Sequence, residues 1–406
     1  MIEWRVCEIY KFIFHLIVKI FTFLMLHYQN TTENKMSFYP PEVTEETKKT
    51  FNFPLVELHV HFDGSIRIET IWDLIQKKHI EIEGVHNIVD LRDILTTHKP
   101  DDLAGVLRAF DVFLPIVRGD LEAIERIAYE MVEDQAKNNV CYFEARYSPQ
   151  FFSDKTEYDL PLPSNYGPRK EITCEQIVEA ANRGFKRAEA DFGVVVRSIL
   201  CCIRGFEKWA EEVLELVIKY QNDGVVAMDV AGSSGGADEK YSHQVTEVFQ
   251  KAHELGIPTT AHAGESGTYK EVKNVVENLK VQRVGHGYHI LDDEDTYKKI
   301  ALHDRIHLEA CPYSSIMTGS CDKVWQNHPT KRWSEDDANF SLSTDDPTCF
   351  GNSMQSDLLI AKDYIGLSIH QVWKCQLNAI ESCFLSEEDR NIREKLIAMI
   401  KEAEPK

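Results

Sequence analysis

The chain has 406 residues, 43% of them hydrophobic, and a formal net charge of −21. A chain of this composition is globular with a large core, and an α/β barrel of this length folds as one domain. The charge disfavours nucleic acid and anionic lipid headgroups as partners, and mildly disfavours a highly charged nucleotide against a neutral substrate.

Residues 1–35 form an N-terminal extension. The stretch Phe12 to Leu26 is apolar but interrupted by His15 and Lys19, and with Lys11 these form a basic stripe at four-residue spacing. It is too short and too interrupted for a spanning helix, and His27-Tyr28-Gln29-Asn30 lacks the small residues of a cleavage site. Two readings stand level. In one, residues 1–28 are a membrane-surface helix or a poor signal peptide, the only route to membrane association or secretion. In the other, translation starts at Met36 and the segment is absent. Asn30-Thr31-Thr32 is a formal glycosylation sequon, but so is Asn339-Phe340-Ser341, which falls in a core strand. Residues 36–406 read as a single domain.

From Leu55 onward eight short runs rich in β-branched and apolar residues read as buried strands: Leu55–His59, Val140–Arg146, Val194–Cys201, Val225–Val230, Pro258–His262, Arg283–Gly285, Ile306–Glu309 and Phe340–Ser343. Helical-period stretches separate most of them, which predicts a parallel sheet and, with eight units, a (β/α)8 TIM barrel. The gap Gly64 to Asn139 exceeds one helix, so extra helices over the barrel mouth are expected. Within it Leu103, Val106, Leu107 and Phe110 recur at helical spacing, a stripe that ordinarily means core packing, with a lid over a substrate as the minority reading. The ten cysteines contain no C-x-x-C pair. Cys141, Cys201 and Cys202 sit in apolar runs, which fits reduced thiols in a cytoplasmic protein.

Polar residues gather just past the strands, where a barrel builds its active site. His59 and His61 are two apart, so on a strand both imidazoles can face one cavity. With His262 and Asp345 they make three nitrogens and one carboxylate, a set that suits Zn²⁺ with an open position for water. Glu265 lies three residues after His262 and suits general acid/base work. His286, between Gly285 and Gly287, is a candidate to orient or deprotonate that water. Asp346 can meet a substrate heteroatom. Taken alone, Asp345-Asp346-Pro347 reads more readily as a helix start, with Asp capping and Pro in the first turn.

These segments resemble the adenosine deaminase family of the amidohydrolase superfamily. The resemblance is carried by Val56-Glu57-Leu58-His59-Val60-His61, Arg146-Tyr147-Ser148-Pro149, Arg197-Ser198-Ile199-Leu200-Cys201-Cys202, Asp229-Val230-Ala231-Gly232 and the motifs above, and spans about residues 52 to 400. It implies one Zn²⁺ per chain on His59, His61, His262 and Asp345. It implies Glu265 as proton donor to purine N1 and His286 as the residue that positions hydroxide. Asp346 would meet N7, the Gly232 N–H would meet N3, Asp63 would hold a ribose hydroxyl, and His61 also lies against substrate. The implied reaction converts adenosine or 2′-deoxyadenosine to inosine or deoxyinosine with release of ammonia, and the implied enzyme is a monomer. Two departures stand out. Ser233-Ser234-Gly235-Gly236-Ala237 delays the acidic pair Asp238-Glu239, and Val106 stands where an aromatic lid residue is expected.

Other readings compete. Gly232-Ser233-Ser234-Gly235-Gly236 fits G-x-S-x-G, but a flexible loop explains it better than a nucleophile elbow. A nucleotide deaminase would need cations near the ribose. Arg146 or Arg204 could serve, but pairing with barrel carboxylates is the favoured role, and Asp63 suits a neutral hydroxyl. No lysine at a matching strand end supports a binuclear site. A protein that only binds purine would not need Glu265 or His286.

Overall fold

The computed structural model describes residues 39–155, 170–234 and 241–406. The expectations for residues 1–28, for Met36 and for the loop at 235–240 lie outside the described residues. Everything that follows belongs to the compact unit Pro40–Lys406.

All eight expected strands form: β1 Leu55–His61, β2 Val140–Tyr147, β3 Val195–Ile203, β4 Val225–Ala231, β5 Thr260–Ala263, β6 Arg283–His286, β7 His307–Ala310 and β8 Phe340–Leu342. They are almost wholly buried, as strands covered on both faces must be. They pair in parallel as two runs, β1-β2-β3-β4 and β5-β6-β7-β8. The runs meet at two single bridges, Met228 with Thr259 and Val60 with Asp345. At the second seam the His61 N–H donates to the Asp345 carbonyl at 2.8 Å and the Asp345 N–H to the His59 carbonyl at 3.1 Å. The ring is therefore a (β/α)8 barrel, and one closing seam is made by the residues expected to bind metal.

Four helices fill the gap between β1 and β2: α1 Ile68–Lys78, α2 Ile88–Leu95, α3 Leu103–Val117 and α4 Leu121–Lys137. Local sequence sets their ends. Asn87, Asp102 and Asp120 cap the starts of α2, α3 and α4 through their side chains. α5, Cys174–Phe192, opens on a Thr173/Gln176 capping box and closes at left-handed Gly193. α3 corrects the expectation of core packing for its stripe. Leu103, Leu107 and Phe110 line the central cavity, whereas Val106 is only 2% exposed and is not among the lining residues. Phe110, one turn on from Val106, places an aromatic ring in the cavity wall.

Beneath the cavity the barrel interior is charged rather than apolar. Arg146 faces Asp229 at 3.1 Å and Glu309 at 2.7 Å, and Arg283 faces Glu309 at 2.7 Å and Glu144 at 2.6 Å. Each of these side chains is at most 1% exposed.

Candidate metal centre and active site

Separate strand ends deliver the chemistry to one point. His59 and His61 lie in β1, His262 in β5 and His286 at the end of β6, and Asp345 follows β8. His59 Nε2 and His61 Nε2 lie 3.3 and 3.4 Å from Asp345 Oδ1. His61 Nε2 is 3.2 Å from His262 Nε2. Ligand-type atoms of His59, His262, His286 and Asp345 all fall within 4.8 Å of one another, and so do those of His61, Asp345 and Asp346. The structure thus brings the four expected ligands together and places His286 in the same cluster. A register slip between Glu57 and Val60 puts a bulge at the level of His59. Bulges re-aim side chains beside active sites, and simple two-residue alternation does not contain this one.

The histidines' second nitrogens are anchored. His59 Nδ1 lies 2.8 Å from Glu309 Oε2, and His262 Nδ1 lies 3.0 Å from Asp229 Oδ2. A carboxylate only accepts, so both rings carry their proton on Nδ1 and turn a lone pair on Nε2 into the cluster. The Tyr288 hydroxyl donates to the Cys311 carbonyl at 3.2 Å and accepts the Cys311 N–H at 2.8 Å. Its remaining lone pair faces His286 Nδ1 at 3.4 Å, which gives His286 the same tautomer. Ser314 Oγ donates to Asp345 Oδ2 at 2.7 Å and fixes that carboxylate.

Backbone geometry is unusual at the same place. His286 and Asp345 take φ of 65° and 71°, a left-handed conformation uncommon for side chains larger than glycine and concentrated at functional sites. Two glycines make room. A Cβ on Gly285 would stand 2.8 Å from the His59 ring, and one on Gly64 would stand 1.8 Å from Asp346 Oδ1. Asp346 precedes the short helix Pro347–Phe350, but its side chain makes no capping bond. The helix start expected at Asp345-Asp346-Pro347 therefore forms, with Pro347 in the first turn, but the expected capping by Asp346 does not: its carboxyl lines the cavity.

Burial sorts the charges. It pushes the pKa of His61, His262 and His286 down, leaving neutral imidazoles. At His59 burial and Arg146 push the same way, but Asp345 and Glu309 prevail and raise it, so a proton competes with a cation there. Asp345 is held well below the carboxylate range because close contact with His59 at 3.3 Å and the electrostatic influence of the neighbouring histidines outweigh burial. Burial, reinforced by Asp345, lifts Glu265 to about 8. Burial lifts Asp63 to about 7, and burial with Asp345 and Asp63 lifts Asp346 well above its ordinary value. One ionised carboxylate thus sits among three that tend to keep a proton.

His59 Nε2, His286 Nε2, Glu265 Oε1, Asp63 Oδ1 and Asp346 Oδ1 are buried with no hydrogen-bond partner. Such atoms are costly unless something fills the space between them. Imidazole lone pairs beside an ionised carboxylate fit a divalent cation, and Glu265 Oε2 lies 3.6 Å from His286 Nε2 at its side. Together they face a cavity of about 340 Å³, within the range of small-molecule sites. α3 covers it with Leu103, Leu107 and Phe110, and Phe151, Ile203, Arg204 and Gly232 complete the wall.

The buried cation of the cavity wall is committed. Arg204 donates to the carbonyls of Gly232 and His262 and lies 3.2 Å from Glu271. Arg108, at the rim, lies 3.3 Å from Asp101. Arg146 pairs with carboxylates below the site, as expected. Sequence reasoning missed Asp229, Glu309 and Ser314 as supports. The available signal was an acidic residue inside an otherwise apolar strand, as in Ala227-Met228-Asp229-Val230 and His307-Leu308-Glu309-Ala310.

Residues 54–401 match the family described as adenosine deaminase. The chain is 41% identical over 357 residues to the adenosine deaminase of Danio rerio, covering 88% of this chain and 97% of that one. Among solved structures it resembles adenine deaminase from Arthrobacter aurescens, with TM-score 0.74 and 21% identity over 86% of this chain and 99% of that one. An amidohydrolase with bound Zn from Burkhoderia ambifaria superposes with TM-score 0.74 at 21% identity, over 90% of this chain and 98% of that one. At these identities the two structures speak for the barrel alone.

Proposed function

The chain belongs to the adenosine deaminase family, and on that premise we infer how its cavity performs the reaction. The protein is a hydrolase acting on C–N bonds, and it deaminates adenosine. We read its substrates as adenosine and 2′-deoxyadenosine, each taking up one water and releasing ammonia to give inosine or deoxyinosine.

In this reading His59, His61, His262 and Asp345 hold one Zn²⁺, for which the clustered nitrogen lone pairs and the ionised carboxylate are the support. When bound, zinc acidifies water so that hydroxide is available near neutral pH. His286 Nε2, the free nitrogen of a neutral ring, orients the attacking water and accepts its proton. Glu265 keeps a proton near neutrality and gives it to purine N1, which makes C6 electrophilic. Asp346, also biased toward its protonated form, donates to N7. The Gly232 N–H meets N3, Asp63 takes a ribose hydroxyl, and His61 flanks the bound nucleoside. α3 closes its apolar stripe over the base and excludes water.

The observation that carries this reading is the placement of Glu265, buried 3.6 Å from His286 beside the clustered ligand atoms, inside a cavity whose one buried guanidinium is already paired. Of the arginines among the described lining residues, Arg204 is held within the wall and Arg108 stands at the exposed rim, so a 5′-phosphate would have only the rim guanidinium to meet it. The test is absorbance at 265 nm with adenosine and with AMP, with and without a chelator. Loss of absorbance with adenosine alone, abolished by chelation and restored by Zn²⁺, is expected. Turnover of AMP alone would overturn the substrate assignment, and full activity after verified metal removal would overturn the metal.

A further inference from the structure

The mechanism leaves Arg146 without a task, yet its guanidinium is fully buried and reaches two of the carboxylates that support the cluster. Its Nη1 reaches Asp229 Oδ2 at 3.1 Å, and its Nη2 reaches Glu309 Oε2 at 2.7 Å and the Leu58 carbonyl at 2.6 Å. The same two carboxylates hold the histidines. Glu309 Oε2 also takes His59 Nδ1 at 2.8 Å, and at Asp229 the His262 ring hydrogen-bonds Oδ1 from Nδ1 at 3.3 Å, with Oδ2 3.0 Å away. Each carboxylate therefore has an imidazole on one side and one arm of a single guanidinium on the other.

We propose that Arg146 is a positioning residue that ties two imidazoles of the metal cluster, His59 and His262, into one unit through Glu309 and Asp229. This rests on the reading of His59 and His262 as ligands. A carboxylate held on one side only can turn and carry its histidine with it, whereas each of these two is pinned between an imidazole and the guanidinium. Arg146 thereby fixes where both carboxyl groups stand, and with them the bond that sets the orientation and tautomer of each ring. Only a planar fork spans the two; an ammonium is a single point charge and would have to choose one. Arg283 is not a substitute, because it reaches Glu309 and Glu144 but makes no ion pair with Asp229.

The test compares Arg146→Lys with Arg197→Lys. Arg197 pairs with Glu189 and Asp389 and touches neither supporting carboxylate, so it controls for the loss of a barrel guanidinium. Two readouts are taken: the affinity of the metal-free protein for Zn²⁺ against a competing chelator, and the ring ¹⁵N signals of His59 and His262 in the metal-free protein. Arg146→Lys is expected to weaken Zn²⁺ binding roughly 10–100-fold and to mix the tautomers of at least one of the two rings, with Arg197→Lys unchanged in both. Wild-type affinity and unmixed tautomers in a folded Arg146→Lys protein would overturn the proposal. Should that variant not fold, the wild-type spectrum decides. Nδ1–H tautomers at both rings support the tie, and an Nε2–H tautomer at either removes its basis. A wild-type protein with Nδ1–H rings that binds no Zn²⁺ would instead count against the metal assignment, leaving the tie standing.

Discussion

Two layers of the same barrel treat buried charge in opposite ways. In the interior beneath the cavity, Arg146 and Arg283 face Asp229, Glu309 and Glu144 across 2.6–3.1 Å, so carboxylate meets guanidinium throughout. One layer up, at the strand ends, Glu265, Asp63 and Asp346 are buried near Asp345, and each has a carboxyl oxygen with no hydrogen-bond partner. In the lower layer Asp229 and Glu309 are held ionised: at Asp229 the electrostatic influence of His262 and Arg146, and at Glu309 that of Arg146 and Arg283, overcomes the effect of burial. The upper layer lets burial win and keeps protons on its acids. Paired charge fixes geometry, whereas unpaired acid stores a proton for use. A deaminase needs both, stacked within one barrel.

The comparison can be broken from either side. Removing the lower partner that touches no histidine of the cluster, Glu144, should cost stability rather than chemistry. Glu144→Gln leaves Arg283 short of a counter-charge, and breaking a buried pair in this way costs about 3–5 kcal/mol. Chemical denaturation should show that loss while kcat of the folded fraction stays near wild type; a kcat collapse without destabilisation would erase the distinction. Changing an upper residue should do the reverse. Asp345→Ala should lower kcat roughly 10³-fold or more, since metal assistance is worth several kcal/mol, together with measured metal content and with little change in melting temperature.

Glu265→Gln should cost roughly 10²-fold or more in kcat with a small change in KM. It also carries the pH signature. The active form holds the proton, and the raised pKa of about 8 means that the proton is present below that pH and lost as pH rises through it. The rate of the wild type should therefore fall along an alkaline limb near pH 8, or lower where a bound cation pulls the pKa down. Glu265→Gln should flatten that limb, and an unchanged limb in the variant would assign it to another group. The smallest effect belongs to the lid. Phe110→Ala removes apolar cover worth about 1.5–3 kcal/mol, so KM should rise roughly 10- to 150-fold with kcat within a fewfold of wild type. A loss confined to stability would return α3 to core packing.

Much of this was legible in the chain. Residues at a strand's C-terminal end carry a local signature, an apolar β-branched run followed by imidazole or carboxylate. That is why all eight strands and the cluster of His59, His61, His262, His286, Glu265 and Asp345 could be read in advance. Asp346 shows where local reading stops. Its sequence neighbourhood spells a helix cap, and only the cavity reveals a side chain without a capping bond, in space that Gly64 leaves open 282 positions away. The stripe on α3 is similar, because helical periodicity states that a face is apolar but not whether protein or ligand covers it.

The sequence by itself determined element type, strand order along the chain and which imidazoles and carboxylates stand at the strand ends, because these follow from periodicity and from the chemistry of single side chains. Tertiary structure alone decided which carboxylates are paired and which keep protons. It also decided which nitrogen of each histidine faces the cluster and which apolar face becomes a lid. Those properties depend on desolvation and on contacts between residues as far apart as His59 and Glu309, and neither quantity exists until the barrel closes.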